Sequence, residues 1–172
     1  MKIILETERL ILREFAAADI DDLALVLCDR ENMRFYPDAF ERQHVQEWIE
    51  RNKRRYEQGD GIGLWAMILK ADARLIGDCG LIPQVIDGFA ETEIGYHLRR
   101  EYQGRGYATE AARACREYGF AKLGRSRLIS LIRPENVPSR RVAERNGMVI
   151  EKETIFHDLL HLVYVVTSFP EI

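Results

Sequence analysis

The chain has 172 residues, of which 47% are hydrophobic and 31% are charged, and its formal net charge is -3. This length and composition are typical of one folded globular domain, residues 1–172. The charge balance provides no strongly basic surface, so we expect neither nucleic acid nor a membrane as a partner.

The cysteines and the N-terminus both indicate the cytoplasm. Cys28, Cys79 and Cys115 are far apart and form no C-x-x-C pair, which is typical of a reducing compartment. We therefore expect no disulfide, and we expect no metal site. Acidic residues follow Met1 too soon for a signal peptide, and no apolar run approaches the roughly 18 residues that span a bilayer.

Hydrophobic periodicity predicts a strand, two helices, three strands, a long helix, a strand, a short helix and a final hairpin. The predicted ranges, in that order, are strand 8–14, helices 19–27 and 41–58, strands 64–69, 75–82 and 91–99, helix 107–123, strand 127–132, helix 138–147, and hairpin strands 148–156 and 159–167. Asp19 is the predicted N-cap of the first helix. The fold class is α/β (α+β), with about seven strands in a mixed, mostly antiparallel sheet and about four helices.

A glycine-containing loop precedes the long helix and carries the pattern Gln103-x-x-Gly106-x-Ala108. Glycine lets backbone N–H groups approach a ligand closely, and a helix start carries about +0.5 charge, which favours phosphate. Arg105 in the loop, with Arg99 and Arg100 just before it, adds cationic charge. The P-loop and dinucleotide-binding patterns are both absent. The loop is therefore either a phosphate-binding turn or a glycine turn before a core helix.

Four ordered patterns resemble those of the GCN5-related N-acetyltransferase (GNAT) family, in its RimJ/RimL-like branch of ribosomal-protein acetyltransferases. Residues 6–13, ETERLILR, are similar to the branch's E-T-x-R-L-x-L-R, and residues 93–96, EIGY, to its E-[IL]-G-Y. The loop at 103–108 is similar to the family's [QR]-x-x-G-x-[GA]. Asn136 and Ser139 match its N-x-x-S.

This resemblance implies one GNAT-like acyl-CoA N-acyltransferase domain whose sheet is splayed between its fourth and fifth strands. It implies acetyl-CoA as cofactor, with pantetheine alongside the fourth strand and pyrophosphate on the loop. The reaction would be direct attack of a primary amine on the thioester. The cofactor-binding residues that it implies are Tyr96, His97, Leu98, Gln103, Gly104, Arg105, Gly106, Tyr107, Ala108, Thr109, Asn136 and Arg140.

Glu93 and Ser139 are the candidate catalytic residues. The resemblance implies that Ser139 protonates the leaving thiolate, although its hydroxyl could instead cap a helix. Glu93 is the first candidate for the base that deprotonates the amine, unless it is a solvent-facing glutamate of the strand. His97 is a second candidate base, since histidine titrates near neutral pH, but a lone strand histidine is usually structural.

The acceptor is a primary amine that the sequence does not identify, either a protein N-terminus or a small molecule. The resemblance implies that Phe35 and Tyr36 line its pocket. Deprotonation at pH 7 costs about 1–1.4 kcal/mol for an α-amine and about 4.6 kcal/mol for a lysine amine. The alternative function is a non-catalytic acyl-CoA-binding or regulatory module on the same fold.

Several other side chains have simpler interpretations. We expect Trp48 and Trp65 in the core and a solvated helix face formed by the arginines near residues 51–55. His157 and His161 have no metal-binding constellation around them, so we expect surface or packing roles. The last hairpin could pair with a second copy of the chain, which would give a homodimer.

Overall fold

Residues 1–168 are described in the computed structural model, and they form one mixed sheet with helices on both faces. The strands are β1 (Ile3–Glu6), β2 (Leu10–Arg13), β3 (Leu64–Leu69), β4 (Leu75–Ile86), β5 (Phe89–Leu98), β6 (Arg127–Ile132), β7 (Val149–Phe156) and β8 (Leu159–Thr167). The α-helices are α1 (Ile20–Leu27), α2 (Arg42–Tyr56), α3 (Tyr107–Ala121) and α4 (Val137–Arg145).

The strand order across the sheet is β1-β2-β3-β4-β5-β6-β8-β7, and only the β5–β6 pair is parallel among the described strands. The mixed α/β fold, the central meander and the final hairpin are therefore confirmed. The described part of the chain has eight strands where about seven are predicted, because the first predicted strand forms a hairpin with an additional strand, β1. β1 has four partly exposed residues, too short for its alternation to stand out in the sequence.

Asp19 is the N-cap residue of α1, as predicted, but its side chain makes no capping hydrogen bond to this helix. Its carboxylate accepts two hydrogen bonds from the Arg13 guanidinium, at 2.7 and 2.8 Å, and a third from the Ala16 N–H at 2.7 Å. Asp19 thus ties β2 to the start of the first helix. The partly buried Arg13 offers stronger, charge-assisted hydrogen bonds than a helix end does.

β3 divides the hydrophobic core into two layers, because alternate residues of a strand face opposite sides of the sheet. Trp65 and Met67 pack in the layer under α3, whereas Leu64, Ala66 and Ile68 pack in the layer under α1 and α2. All six residues of β3 are buried. None of the helices within residues 1–168 is long and apolar enough to cross a membrane.

The sheet opens between β5 and β6, where the two strands share a single paired position, Glu93 with Ile129. Beside this position, one side chain from each of the two strands replaces the missing backbone ladder. The Ser130 hydroxyl donates to the Ile94 carbonyl at 2.8 Å, and the Glu93 carboxylate accepts the Leu131 N–H at 3.3 Å. The predicted splay therefore exists, and its first backbone groups are satisfied by side chains.

Replacing Ser130 with alanine should destabilise the protein by about 1–3 kcal/mol, since the buried Ile94 carbonyl would lose its partner. Urea unfolding would measure the change. Ser126→Ala is the matched control, because Ser126 is exposed just before the same strand, and it should change stability by less than about 0.5 kcal/mol. Equal losses in the two variants would contradict this role of the hydroxyl.

Candidate active site

Two cavities adjoin where β5 and β6 part. The first, of about 390 Å³, lies between α2, the two strands and the β7–β8 turn, and we call it the sheet cavity. The second, of about 320 Å³, lies between β5, the start of α3 and α4, and we call it the loop cavity. The residues that line both are Phe35, Tyr36, Tyr96, His97, Asn136 and Ser139.

The loop cavity contains most of the loop that the sequence singled out. Its lining includes Leu98, Gln103, Gly104, Gly106, Tyr107, Ala108 and Thr109. Gly104 and Gly106 have φ of +74° and +82°, a conformation that costs other residues strain, so glycine is needed at both positions. Gly106 precedes α3, whose first-turn N–H groups have no acceptor within the helix. This cavity can therefore bind an anion.

The β1–β2 turn holds the loop in place through Glu110, in the first turn of α3. The Glu110 carboxylate accepts hydrogen bonds from the Thr7 hydroxyl at 2.6 Å, the Arg9 N–H at 2.9 Å and the Arg9 Nε at 2.6 Å. Burial acts to raise the pKa of Glu110, but these hydrogen bonds lower it on balance. Arg9 also donates to the Arg105 carbonyl at 3.0 Å, so one arginine spans the loop and the helix.

The cationic side chains at the loop cavity are not the ones that the sequence suggested. The Arg105 guanidinium packs over a tyrosine ring outside the cavity lining, while Arg99 and Arg100 pair with nearby carboxylates. Arg141 and Arg145 of α4 line the cavity instead, and neither forms a salt bridge within the described residues. Sequence spacing could not indicate this, because the sheet brings α4 beside the loop.

β5 presents different groups to its two sides. Tyr96 packs toward α3, and its hydroxyl donates to the Ser139 carbonyl at 2.9 Å, which fastens α4 to the strand. Burial raises the pKa of Tyr96 well above its ordinary value, as expected for a wall residue. The Arg99 N–H donates to β4 at 2.7 Å, so strand alternation turns the Tyr96 main-chain N–H and C=O toward the gap.

Asn136, rather than Ser139, caps α4, so the alternative that the Ser139 hydroxyl caps this helix is wrong. The Asn136 side-chain oxygen accepts the Ser139 N–H at 3.3 Å. The Ser139 hydroxyl makes no hydrogen bond with any residue from 1 to 168 and lies where the two cavities meet. Arg140 lines neither cavity, because its guanidinium donates to the Tyr164 hydroxyl at 3.1 Å and the Pro134 carbonyl at 3.0 Å.

Glu93 lies in the sheet cavity and is only 9% exposed, so the interpretation as a solvent-facing glutamate is wrong. One carboxylate oxygen accepts the Gln84 amide at 2.7 Å, and the other accepts the Leu131 N–H. Burial raises the pKa of Glu93, while these hydrogen bonds and the charges of His97 and Arg55 oppose the rise. Glu93 is therefore a carboxylate able to exchange a proton closer to neutral pH than an exposed one.

His97 is held by a fully buried carboxylate that sequence analysis missed. Its Nδ1 lies 2.7 Å from one oxygen of Asp78, and the Trp48 indole N–H donates to the other oxygen at 3.0 Å. Burial acts to lower the pKa of His97, but the charge and hydrogen bond of Asp78 raise it on balance. An acidic residue inside an otherwise apolar strand was the available signal for Asp78.

Three groups of residues line the sheet cavity, although the sequence predicted them at the surface or in the core. Arg51 and Arg55 of α2 belong to its wall, and Arg55 is half-buried rather than solvated. His157 lines it from the β7–β8 turn, His161 from β8 and Trp48 from α2. Their shared location depends on how the hairpin and α2 pack over the open part of the sheet, which no local pattern encodes.

Comparison with known proteins identifies the family. A family model described as "Acetyltransferase (GNAT) domain" matches residues 9–149. The Bacillus subtilis (strain 168) protein YkkB is 38% identical over 149 residues, which cover 86% of each chain. An acetyltransferase structure from Agrobacterium tumefaciens superposes with a TM-score of 0.83 at 28% identity, covering 95% of this chain and 94% of that one.

A structure of RimL, described as a ribosomal L7/L12 α-N-protein acetyltransferase in complex with coenzyme A, has the same fold. Its TM-score is 0.78 at 19% identity, covering 96% of this chain and 98% of that one. The loop cavity, with its helix start and two unpaired arginines, has the donor groups that a diphosphate requires. The chain belongs to the GCN5-related N-acetyltransferase family, whose acetyl donor is acetyl-CoA.

Proposed function

We propose that this protein acetylates a primary amine that enters the sheet cavity, in the manner of the RimJ/RimL-like branch. The observation that supports this most directly is the junction of the two cavities. The donor's cavity and a cavity with one buried carboxylate meet at Tyr96, His97 and Ser139. A transferase needs such a junction, because donor and acceptor must approach each other from different sides.

The donor would lie along the loop cavity, whose residues meet its different parts. The amides at the start of α3, from Gly106 to Thr109, would bind the diphosphate together with Arg141 and Arg145. The main-chain N–H and C=O of Tyr96 would pair with the pantetheine arm as a neighbouring strand does. Bound acetyl-CoA supplies the thioester carbonyl that the amine attacks.

Glu93 would accept the proton that the amine loses, directly or through one water molecule. Its carboxylate is buried in the sheet cavity and held by Gln84 and the Leu131 N–H, so its orientation is set before the acceptor binds. An α-amine needs only about 1–1.4 kcal/mol to deprotonate at pH 7, which a weak base can supply.

His97 would keep Glu93 ionised at neutral pH. Asp78 holds its ring and favours the imidazolium, and the positive charge of that ring opposes the rise of the Glu93 pKa. His97 is thus a positioning and electrostatic residue in this proposal. It remains the alternative base, since it also lies at the junction of the cavities.

Ser139 would give a proton to the leaving thiolate. Its hydroxyl lies at the junction of the cavities and has no hydrogen-bond partner among residues 1–168. The Tyr96–Ser139 hydrogen bond and the Asn136 cap fix the first turn of α4, which sets the direction of the hydroxyl. The amine nitrogen loses one proton to Glu93 and the thiolate gains one from Ser139. Solvent then takes the proton from Glu93 and reprotonates Ser139, so the neutral amine and acetyl-CoA give the amide and CoA.

The remaining expectations belong to the same proposal. The chain would act as one domain, residues 1–172, in the cytoplasm, where its cysteines stay reduced. A homodimer would use the edge strand β7, which exposes Val149, Ile150 and Ile155. The acceptor is either a protein N-terminus, as the name of RimL states for that protein, or a small amine.

A screen of amines with acetyl-CoA, following thiol release, tests the function directly. We expect release with at least one class among peptides, small amino compounds and polyamines. The alternative is a non-catalytic acyl-CoA-binding module, and absence of release with every class would favour it. Calorimetry tests the premise that the transferase and the non-catalytic module share. Under each of these two functions, CoA must bind more tightly than inorganic phosphate, and equal binding would contradict both.

Replacing Arg9 with glutamine should weaken CoA binding by about tenfold or more, because charge-assisted hydrogen bonds that hold the loop would be lost. Isothermal titration with CoA would measure the change in Kd. Arg30→Gln is the control, since Arg30 is exposed and lines neither cavity. Unchanged affinity in the Arg9 variant would show that the loop does not need this anchor.

Replacing Glu93 with glutamine should lower kcat by about 10²–10⁴-fold, and Ser139→Ala should lower it as well. The Kd for CoA should stay within about threefold in both variants, since neither residue belongs to the loop that would hold the diphosphate. Steady-state thiol release and calorimetry are the two measurements. Full activity in the Glu93 variant would remove that residue from the mechanism.

The His97→Gln variant should move the acidic limb of the pH dependence of kcat/KM to higher pH. The reason is that Glu93 must be ionised to act, and loss of the neighbouring positive charge raises its pKa further. The limb rises with pH because deprotonation creates the base. If the limb instead disappears in His97→Gln and persists in Glu93→Gln, then His97 is the base.

A further inference from the structure

The sheet cavity carries more positive than negative charge. Its lining holds three arginines, Arg51, Arg55 and Arg133, but one carboxylate, Glu93. Arg133 pairs with Glu135 beside it. The other two arginines make no salt bridge within residues 1–168. Arg55 donates to an asparagine oxygen at 3.3 Å, and Arg51 lies 5.6 Å from a tryptophan ring centre.

Two other basic residues of α2 are paired in the described part of the chain, unlike Arg51 and Arg55. Arg42 and Lys53 of the same helix form salt bridges with Asp21 and Glu50, at 2.5 and 3.2 Å. Burial lowers the pKa of Arg55, and the charge of Arg51 lowers it further. A half-buried guanidinium without an anion is unfavourable, so a bound anion would stabilise this wall of the cavity.

We propose that the acceptor is a small primary amine that carries a carboxylate, with this carboxylate bound by Arg51 and Arg55 and the amino group beside Glu93. The inference rests on the proposed function and specifies its acceptor. Arginine binds a carboxylate through paired hydrogen bonds, and the Glu93 carboxylate that lines the same cavity suits an ammonium group. The cavity thus offers both a cationic and an anionic partner to a zwitterion.

Two further features support a small zwitterionic acceptor. The volume of about 390 Å³ is near the lower end of the range for ligand pockets, about 300–1,000 Å³. The lining also includes the aromatic residues Tyr36, Phe40 and Trp48, which offer an apolar surface to a short carbon chain. Polyamines and aminoglycosides carry several positive charges, which the two arginines would repel.

Matched pairs of amines, each a free amino acid and its carboxamide, test the role of the carboxylate. The pairs are glycine with glycinamide, phenylalanine with phenylalaninamide, and β-alanine with β-alaninamide. We expect kcat/KM for thiol release to be at least about tenfold higher for the acid in the best pair. The amino group of the carboxamide is deprotonated more easily than that of the free acid. The reactivity of the amino group alone would therefore give the carboxamide the higher kcat/KM.

The variants Arg55→Gln and Arg51→Gln should each remove most of this preference, measured as the ratio of kcat/KM for the acid to kcat/KM for its amide. A change at Glu93 that affects both substrates alike cancels in this ratio. Arg54→Gln is the matched control, because Arg54 is exposed on the same helix and lines neither cavity. It should keep the preference of the natural chain. Circular dichroism would verify that all three variants are folded.

The outcomes separate this inference from the proposed function. Thiol release at equal rates with acids and amides, or higher rates with peptides or polyamines, would overturn the inference and leave the transferase function in place. No release with any amine would contradict the proposed function. Calorimetry with the same pairs on CoA-loaded protein would then decide the inference, since tighter binding of acids supports it and equal binding overturns it.

Discussion

The interruption of the backbone ladder between β5 and β6 is the constraint on which the site depends. Strands that kept their hydrogen bonds would fill the gap, and the two cavities would not meet. The chain keeps the gap open at low cost, because Ser130 and Glu93 satisfy the first freed backbone groups with their side chains. Glu93 therefore supports the opening and also provides the buried carboxylate beside it.

The burial of individual side chains, rather than the net charge of the chain, determines which charged forms are favoured in the sheet cavity. Glu93 is nearly inaccessible to water, so its charged form would be unfavourable without the cations around it. Asp78, fully buried behind His97, raises the pKa of His97 and so favours its charged form, and Arg55 lines the same cavity without a salt bridge to any residue from 1 to 168. A weakly acidic protein can therefore have a reaction site that accepts an anionic group.

Residues near the N-terminus hold the glycine loop of the loop cavity in place. Thr7 and Arg9 lie in the β1–β2 turn and bind Glu110 of α3, about 100 positions along the chain. This contact joins the opening pattern of residues 6–13 to the glycine loop. The two patterns form one structural unit, in which the turn fixes the helix start that would bind the diphosphate.

The sequence by itself determined the fold class, the loop and the family, because strand alternation, helix periodicity and glycine placement are local properties. It also determined that Glu93 and Ser139 are candidates. Only the tertiary structure decided which side chains share a cavity. Asp78 and Arg55 are separated from Glu93 along the chain, and their importance arises from burial and charge that exist only after the sheet and α2 pack together.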